Sequence, residues 1–388
     1  MRSGSIIAAR PLFPPRQPAN RVTFPSSHLE SHLKKHQWIM YVVGAILLGT
    51  LVWLVHTRVD FQWSVFRDQL QHVDWRRIFL GVALVVFCYW LRAVRWAVLL
   101  KPQKKVSSLA LLGSQVIGFT AVALFGRLAD LVRPYLVARR TNLPLSSQIA
   151  VYTVERMFDV GAMALIFSGA LLLAPDRATL PHHEALQHTA LGGLAVTVAL
   201  AVFAISVRAS GRAIAGFAER ILGSLSPSFG HSAGTKIRAF RDGLDSIATL
   251  GDFFRAMGLS LLMWGLITQA YLETTRAFVL SPELAAMTLA RCMVLMAASM
   301  VGSVVQLPVI GWFTQIGVTT GVMQKIFHVQ FEPALACGTM LLIVTFMCVI
   351  PVGLIWARVE HVSLKKVSEQ SEHLGSEEAE PTPAVSEA

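Results

Sequence analysis

The chain has 388 residues, 54% of them hydrophobic and only 15% charged, with a mean hydropathy of +0.55. A soluble globular domain carries about a quarter charged residues, so this balance excludes an ordinary water-soluble fold. The net charge of +11 does not gather on a polar domain, as nucleic-acid binding would require, but lies at the ends of apolar runs. Cys88, Cys292, Cys337 and Cys348 fall inside apolar segments with no pair at metal-ligand spacing, and they read as packing residues.

Residues 1–35 (Pro11, Pro14, Pro15, Pro18, Pro25, Lys34, Lys35) read as a disordered basic arm. No cleaved leader is expected, because the first apolar run begins too late for one. From 36 to 357 the chain reads as a membrane domain. Trp38 to His56 has about the length that crosses the hydrocarbon core. The link from Thr57 to Arg77 mixes Trp63, Phe66, Leu70 and Trp75 with charges, the pattern of a short interfacial helix with aromatic anchors. Ile78 to Leu100 forms the second span, and its Arg92 and Arg95 are near enough to the end to snorkel.

Leu109 to Leu124 is apolar but short, interrupted by Gly113 and Gly118, and a charged run from Arg127 to Arg140 follows Gly126. A full crossing would leave Arg139 and Arg140 on the outer face, whereas a re-entrant hairpin returns them beside Lys101 to Lys105. The hairpin is the expected form, since non-helical backbone at depth is tolerable when buried in protein or lining a polar cavity. Ser146 or Ser147 is a plausible N-cap for a helix over Gln148 to Leu173. A polar loop, Ala174 to Gln187, and a returning span, Gly192 to Val207, come next. Residues 208–251 are a basic amphipathic segment on the cytoplasmic surface, and Phe253 to Leu272 crosses again.

Leu284 to Val305 starts a second hairpin, broken at Pro308 and Gly311, with Phe313 to Phe327 returning. Gly317 and Gly321 are spaced as a close-packing face. Glu332 and Pro333 open a last span to Trp356, and residues 358–388 end in an acidic disordered tail. The fold class is therefore an all-α polytopic membrane protein with about six to eight transmembrane helices and two re-entrant hairpins. With six full crossings, about twenty Lys and Arg lie inside and about six outside, which satisfies the positive-inside rule. Both termini are then cytoplasmic, in a cell inner (plasma) membrane. Gly126 to Thr153 and Gly311 to Thr339 share an order of parts but enter from opposite faces. That is the layout of an inverted repeat whose broken helices meet near the midplane, although composition alone could also make two hairpins look alike.

Charge at membrane depth is costly and is kept there when paired, hydrated or used. Arg127, Asp130 and Arg133 are three apart and would line one side of a helix, where two guanidinium groups match a lipid phosphate. Mutual pairing is the bland alternative. Glu155 and Asp159 are i,i+4 on the next helix with Arg156 beside them. An interhelical salt-bridge network is the first reading of that group. A cation, proton or amine site is the second. In the other half Gln306, Thr314 and Gln315 surround the break at Gly311, where free N–H groups near Trp312 offer an anion site. Arg291 could face the acidic pair of the first half. His182, His183, Glu184 and His188 form His-Glu-x-x-x-His, whose i,i+5 spacing does not share a helix face, so a wet loop is expected there.

The run GRLADLVRPYLVARRTNLPLSSQIAVYTVERMFD resembles the transmembrane region of lysylphosphatidylglycerol synthases, in the wider flippase-like membrane family. The stretch VQLPVIGWFTQIGVTTGVMQKIF is similar to a second signature of that family, and the likeness runs from about Ile39 to Trp356. Family members carry a Gly-Gly-x-Gly run followed by Glu at the second signature. This chain has Gly311, Trp312 and Gln315, so the expected negative charge is missing. The resemblance implies translocation or handling of charged lipids, or service beside a lipid-modifying enzyme. It does not support aminoacyl transfer, because about thirty residues follow the last span where such synthases carry a soluble catalytic domain.

The function expected from these readings is binding and flipping of a charged or phosphate-bearing membrane lipid, without enzymatic activity. A membrane-embedded transferase acting on a glycolipid or polyprenyl phosphate, with Glu155 and Asp159 as its acid–base pair, is one alternative. A non-catalytic partner of a lipid-modifying enzyme is the other. The candidate lipid-phosphate site comprises Arg127, Asp130, Arg133, Arg139, Glu155, Arg156, Asp159, Gly311 and Gln315. No catalytic residue, metal, cofactor or nucleic acid is expected.

Overall fold

A computed structural model describes residues 61–175, 184–199, 249–303 and 310–363, with isolated positions at 49, 202, 216–217 and 220–221. The basic arm, nearly all of the Trp38 to His56 span and most of the 208–251 segment lie outside the described residues. So do Gln306, Pro308 and the tail from 364. Among the described residues every regular element is helical: α1 Trp63–Gln71, α2 Trp75–Leu100, α3 Ser108–Phe125, α4 Val132–Thr141 and α5 Leu145–Leu173 come first. They are followed by α6 Leu250–Arg276, α7 Pro282–Ala285, α8 Leu289–Gly302, α9 Ile310–Phe327, α10 Phe331–Leu342 and α11 Val349–Val359. A 3-10 turn, Gly126–Ala129, follows α3, a π-helical turn, Ile343–Met347, joins α10 to α11, and residues 184–199 are also helical. Four described stretches are long and apolar enough to cross a bilayer: α2, α3, α5 and the composite Phe331–Val359. The protein is an all-α polytopic membrane protein.

Helix starts follow local chemistry. Asp74 caps α2 by accepting from the Arg76 N–H, and Thr249 caps α6 by accepting from the Asp252 N–H at 3.1 Å. The Thr249 hydroxyl donates back to the Asp252 carboxylate at 2.8 Å, a reciprocal pair that anchors the helix start. No side chain caps α5, which begins at Leu145 after Pro144, so the Ser146 or Ser147 cap is not made. Ser147 Oγ instead donates to Gln103 Oε1 at 2.6 Å. Proline fixes the φ angle that precedes a helix, and that is enough to start one here. Residues 184–199 become helical before the expected loop ends at Gln187, held against α5 by Ser168 Oγ donating to the Ala190 carbonyl.

The polar ends show how the helices run. At one end Lys101 meets Asp252 at 3.1 Å, Lys104 Nζ donates to the Thr141 carbonyl at 2.7 Å, and Arg140 meets Glu360 at 3.1 Å. At the other end Arg77 meets Glu273 at 2.7 Å, Gln62 N–H donates to Glu332 at 3.1 Å, and Arg276 Nε donates to the Met287 carbonyl at 2.9 Å. The stretch α3 to α4 is therefore a hairpin that leaves the lysine end at Ser108 and returns to it at Thr141. Gly126, at φ 73°, turns the chain at the hairpin tip, and Asn142, at φ 53°, ends the return. Helices α8 and α9 form the second hairpin, which opens at the opposite end, where Arg291 lies 6.0 Å from the Phe327 ring centre.

Each half thus reads long helix, hairpin, long helix: α2, α3–α4, α5 and then α6, α8–α9, α10–α11, with every direction reversed. The two halves join most extensively through α2 against α6. The outward side of α2 carries Phe79, Leu80, Val86, Phe87 and Trp90, all exposed, as a lipid-facing surface requires.

Glycines let the two arms of each hairpin close on one another, but not the expected ones. A Cβ on Gly118 would collide with the Arg133 side chain, and one on Gly302 would lie 2.9 Å from the Gln315 backbone. Gly317 and Gly321 have open space around them, so they are not the packing face their spacing suggested. Gly113 and Gly118 do not interrupt α3, which runs unbroken because their missing side chains admit neighbours rather than bend the chain.

Candidate functional site

The charged residues converge where α2, α4, α5 and α6 cross. Ten residues of α5 separate Glu155 from Leu145, which sets the cluster roughly 15 Å below the lysine end at about 1.5 Å of rise per residue. Arg95 of α2 is fully buried. It donates to Glu155 Oε1 at 2.5 Å, to Asp159 Oδ1 at 2.6 Å and to Ser260 Oγ at 2.6 Å. Arg133, in the first turn of α4, donates to Glu155 Oε2 at 3.2 Å and to Gln115 Oε1 at 3.3 Å. Trp264 Nε1 donates to Asp159 at 3.3 Å. Each carboxylate is thereby neutralised and hydrogen-bonded, the condition under which buried charge is tolerated.

Two arginines are held less tightly. Arg92 Nη1 is 3.9 Å from Asp159 Oδ2, and Arg156 Nη1 is 3.6 Å from the same oxygen. Both line a cavity of about 450 Å³ together with Asp130, Arg133, Phe119 and Tyr152. Buried donors without a partner remain at Arg133 Nε and at Arg156 Nε and Nη2. A smaller cavity of about 180 Å³ lies between the Gly126 turn and the first turns of α9, lined by Gly126, Gly311, Trp312 and Gln315. Tyr271, Ser299 and Gln315 form its polar wall: Gln315 Nε2 donates to Ser299 Oγ at 2.8 Å, and Tyr271 Oη pairs with Ser299 at 2.8 Å. Val122, Ile267, Thr345 and Phe346 line both cavities, so the two adjoin.

Several expected placements change. The trio Arg127, Asp130 and Arg133 does not share one helix, because the chain changes from a 3-10 turn to α4 between them. Asp130 and Arg133 still meet at the larger cavity. The backbone of Arg127 sits in the tip turn, and its side chain lies outside the described residues. Arg139 is exposed at the hairpin mouth, 3.3 Å from Tyr135 Oη, away from the cluster. Gly311 and Gln315 belong to the smaller cavity. Arg291 lies at the end opposite the lysines and stacks near Phe327, so it does not face Glu155 and Asp159.

Arg95 does not snorkel. Helices α5 and α6 cover the end of α2 and close the route to the interface, and Glu155, Asp159 and Ser260 solvate the guanidinium there. Sequence reasoning missed Arg92 and Arg95 as site residues. The signal present was two acids one turn apart, which need partners at equal depth on a neighbouring span.

A polytopic helical protein with broken helices meeting inside it, and an arginine-lined cavity beside them, is the class that fold and site define. The chain belongs to the family described as the lysylphosphatidylglycerol synthase TM region, whose family model matches residues 40–354. It is thus an integral membrane protein of a family named for a lipid-modifying synthase. No curated protein and no solved structure matches the chain.

Proposed function

We propose that this protein binds a phosphate-bearing lipid by its headgroup and carries it across the bilayer without modifying it. The observation that supports this most is the 450 Å³ cavity at membrane depth, walled by Arg92, Arg133 and Arg156. Guanidinium groups outnumber carboxylates there, and low-dielectric surroundings make an unbalanced cation a strong anion site. Two hairpins opening at opposite ends suit a carrier that must offer the same site to both leaflets. The positive-inside bias favours an inner (plasma) membrane location with the lysine end and both termini in the cytoplasm.

The test is reconstitution of the full chain in liposomes carrying fluorescent phosphatidylglycerol, with a quencher added outside. Lipid from the inner leaflet is expected to become quenchable faster than in empty vesicles. An unchanged rate sinks the flipping reading. A transferase using Glu155 and Asp159 has less support, because each carboxylate is ion-paired with Arg95. Family membership favours one second reading, service beside a lipid-modifying enzyme, and co-purification with such an enzyme from native membranes would support it.

A further inference from the structure

Around the larger cavity, arginines and aromatic rings alternate. The Arg92 guanidinium carbon lies 4.7 Å from the Phe119 ring centre, and that of Arg133 lies 4.3 Å from the same ring. Arg133 and Arg156 in turn share Tyr152, each at 5.0 Å. Three like charges would normally repel one another out of such a space. The two rings that they share attract each guanidinium, and desolvation strengthens that attraction.

This arrangement has a chemical consequence. A guanidinium's donors lie in its plane, so attraction to a ring does not itself consume an N–H. Arg133 spends Nη1 on Glu155 and Gln115, but its Nε and the Nε and Nη2 of Arg156 remain buried without a partner. Arg156 keeps 41% of its side chain accessible, whereas Arg133 keeps 1%. The first is the accessible end of the ladder, and the second is its fixed middle. Through the shared ring, the Arg92 and Arg133 carbons lie no more than about 9 Å apart, a span that one tetrahedral oxyanion bridges by accepting from both.

Charge sets the ligand's valence. The described cluster sets four guanidiniums (Arg92, Arg95, Arg133, Arg156) against three carboxylates, Glu155, Asp159 and the cavity-lining Asp130. One positive charge is left over. We propose that Arg92, Phe119, Arg133, Tyr152 and Arg156 form a stacked ladder that binds one singly charged phosphodiester group. This rests on the lipid-carrying reading above and assigns the headgroup chemistry within it.

The experiment measures binding to the purified full chain in micelles of a neutral sugar detergent that carries no phosphate. The added probes are phosphatidylglycerol (a diester), phosphatidic acid (a monoester) and inorganic phosphate. The expected result is saturable thermal stabilisation by phosphatidylglycerol, with at least a tenfold weaker apparent Kd in Arg92→Gln, Arg156→Gln and Phe119→Leu. Phe119→Leu removes the ring but keeps apolar volume, so at least one variant remains folded for the comparison. Phosphatidylglycerol bound equally well by the folded variants overturns the ladder and leaves the lipid reading standing. Tighter binding of phosphatidic acid than of phosphatidylglycerol overturns the single-charge assignment. Inorganic phosphate bound through the same residues, with no lipid bound, overturns both the phosphodiester assignment and the lipid reading. No probe bound overturns both.

Discussion

Arg92 and Arg95 are three residues apart on one helix and have different roles. Arg95 spends its donors on Glu155, Asp159 and Ser260, whereas Arg92 stacks on Phe119 and faces the cavity. Removing one side of a buried ion pair leaves the other charge uncompensated, which costs about 3–5 kcal/mol. Arg95→Met is therefore expected to lower thermal stability in detergent sharply and to reduce the amount recovered from membranes. Recovery and melting equal to the parent would show that the pair is dispensable. Glu155→Gln strips the shared partner of Arg95 and Arg133 and is expected to accumulate poorly as well. If it accumulates normally and loses only lipid transport, Glu155 is functional rather than structural.

At the scale of elements, the first hairpin depends on a close approach. Gly118 of α3 lies against the Arg133 side chain of α4, and an added methyl group has no room. Overpacking of this kind costs about 1–3 kcal/mol. Gly118→Ala is expected to lower the melting temperature and to weaken anionic-lipid binding together, because it displaces Arg133. Gly317→Ala meets nothing within 4 Å and serves as its control, expected within about 0.5 kcal/mol of the parent. Equal melting curves for the two variants would contradict the packing described. Both glycines sit in apolar helices at plausible spacing, so sequence could not rank them. The neighbour that a missing side chain admits is a tertiary fact. The π-helical turn Ile343–Met347 is a similar case, since it puts Thr345 and Phe346 on the wall between the cavities where hydropathy reads one uniform span.

For the whole molecule, the inverted arrangement predicts opposite exposure of the two polar ends. Gln103 and Gln330 are both exposed, the first beside Lys104 and the second beside Glu332. The native cysteines at 88, 292 and 337 are buried, and Cys348, which is half-buried, is replaced by serine in the background for labelling. With a membrane-impermeant maleimide on intact cells, Gln330→Cys is expected to react and Gln103→Cys only after permeabilisation. Labelling of both from one side would break the inverted topology. The reverse pattern would keep the topology and flip its orientation.

The sequence by itself determined the class and much of the plan: helices, two hairpins, their opposed entry and the acidic pair as a centre of charge. Those features follow from hydropathy, helix-breaking residues and charge bias, which are local or one-dimensional quantities. Only the tertiary structure decided which arginines pair and which remain available, because that depends on depth and on which helix covers which. Arg95 became a structural counter-ion when α5 and α6 closed over it. Arg92, Arg133 and Arg156 became a cavity wall because Phe119 and Tyr152 lie between them. Tyr152 and Arg156 are i,i+4 on α5, and that contact is legible in the sequence. The contacts that bring Arg92 and Arg133 to these rings join different helices, leave no periodic trace and are seen only in the fold.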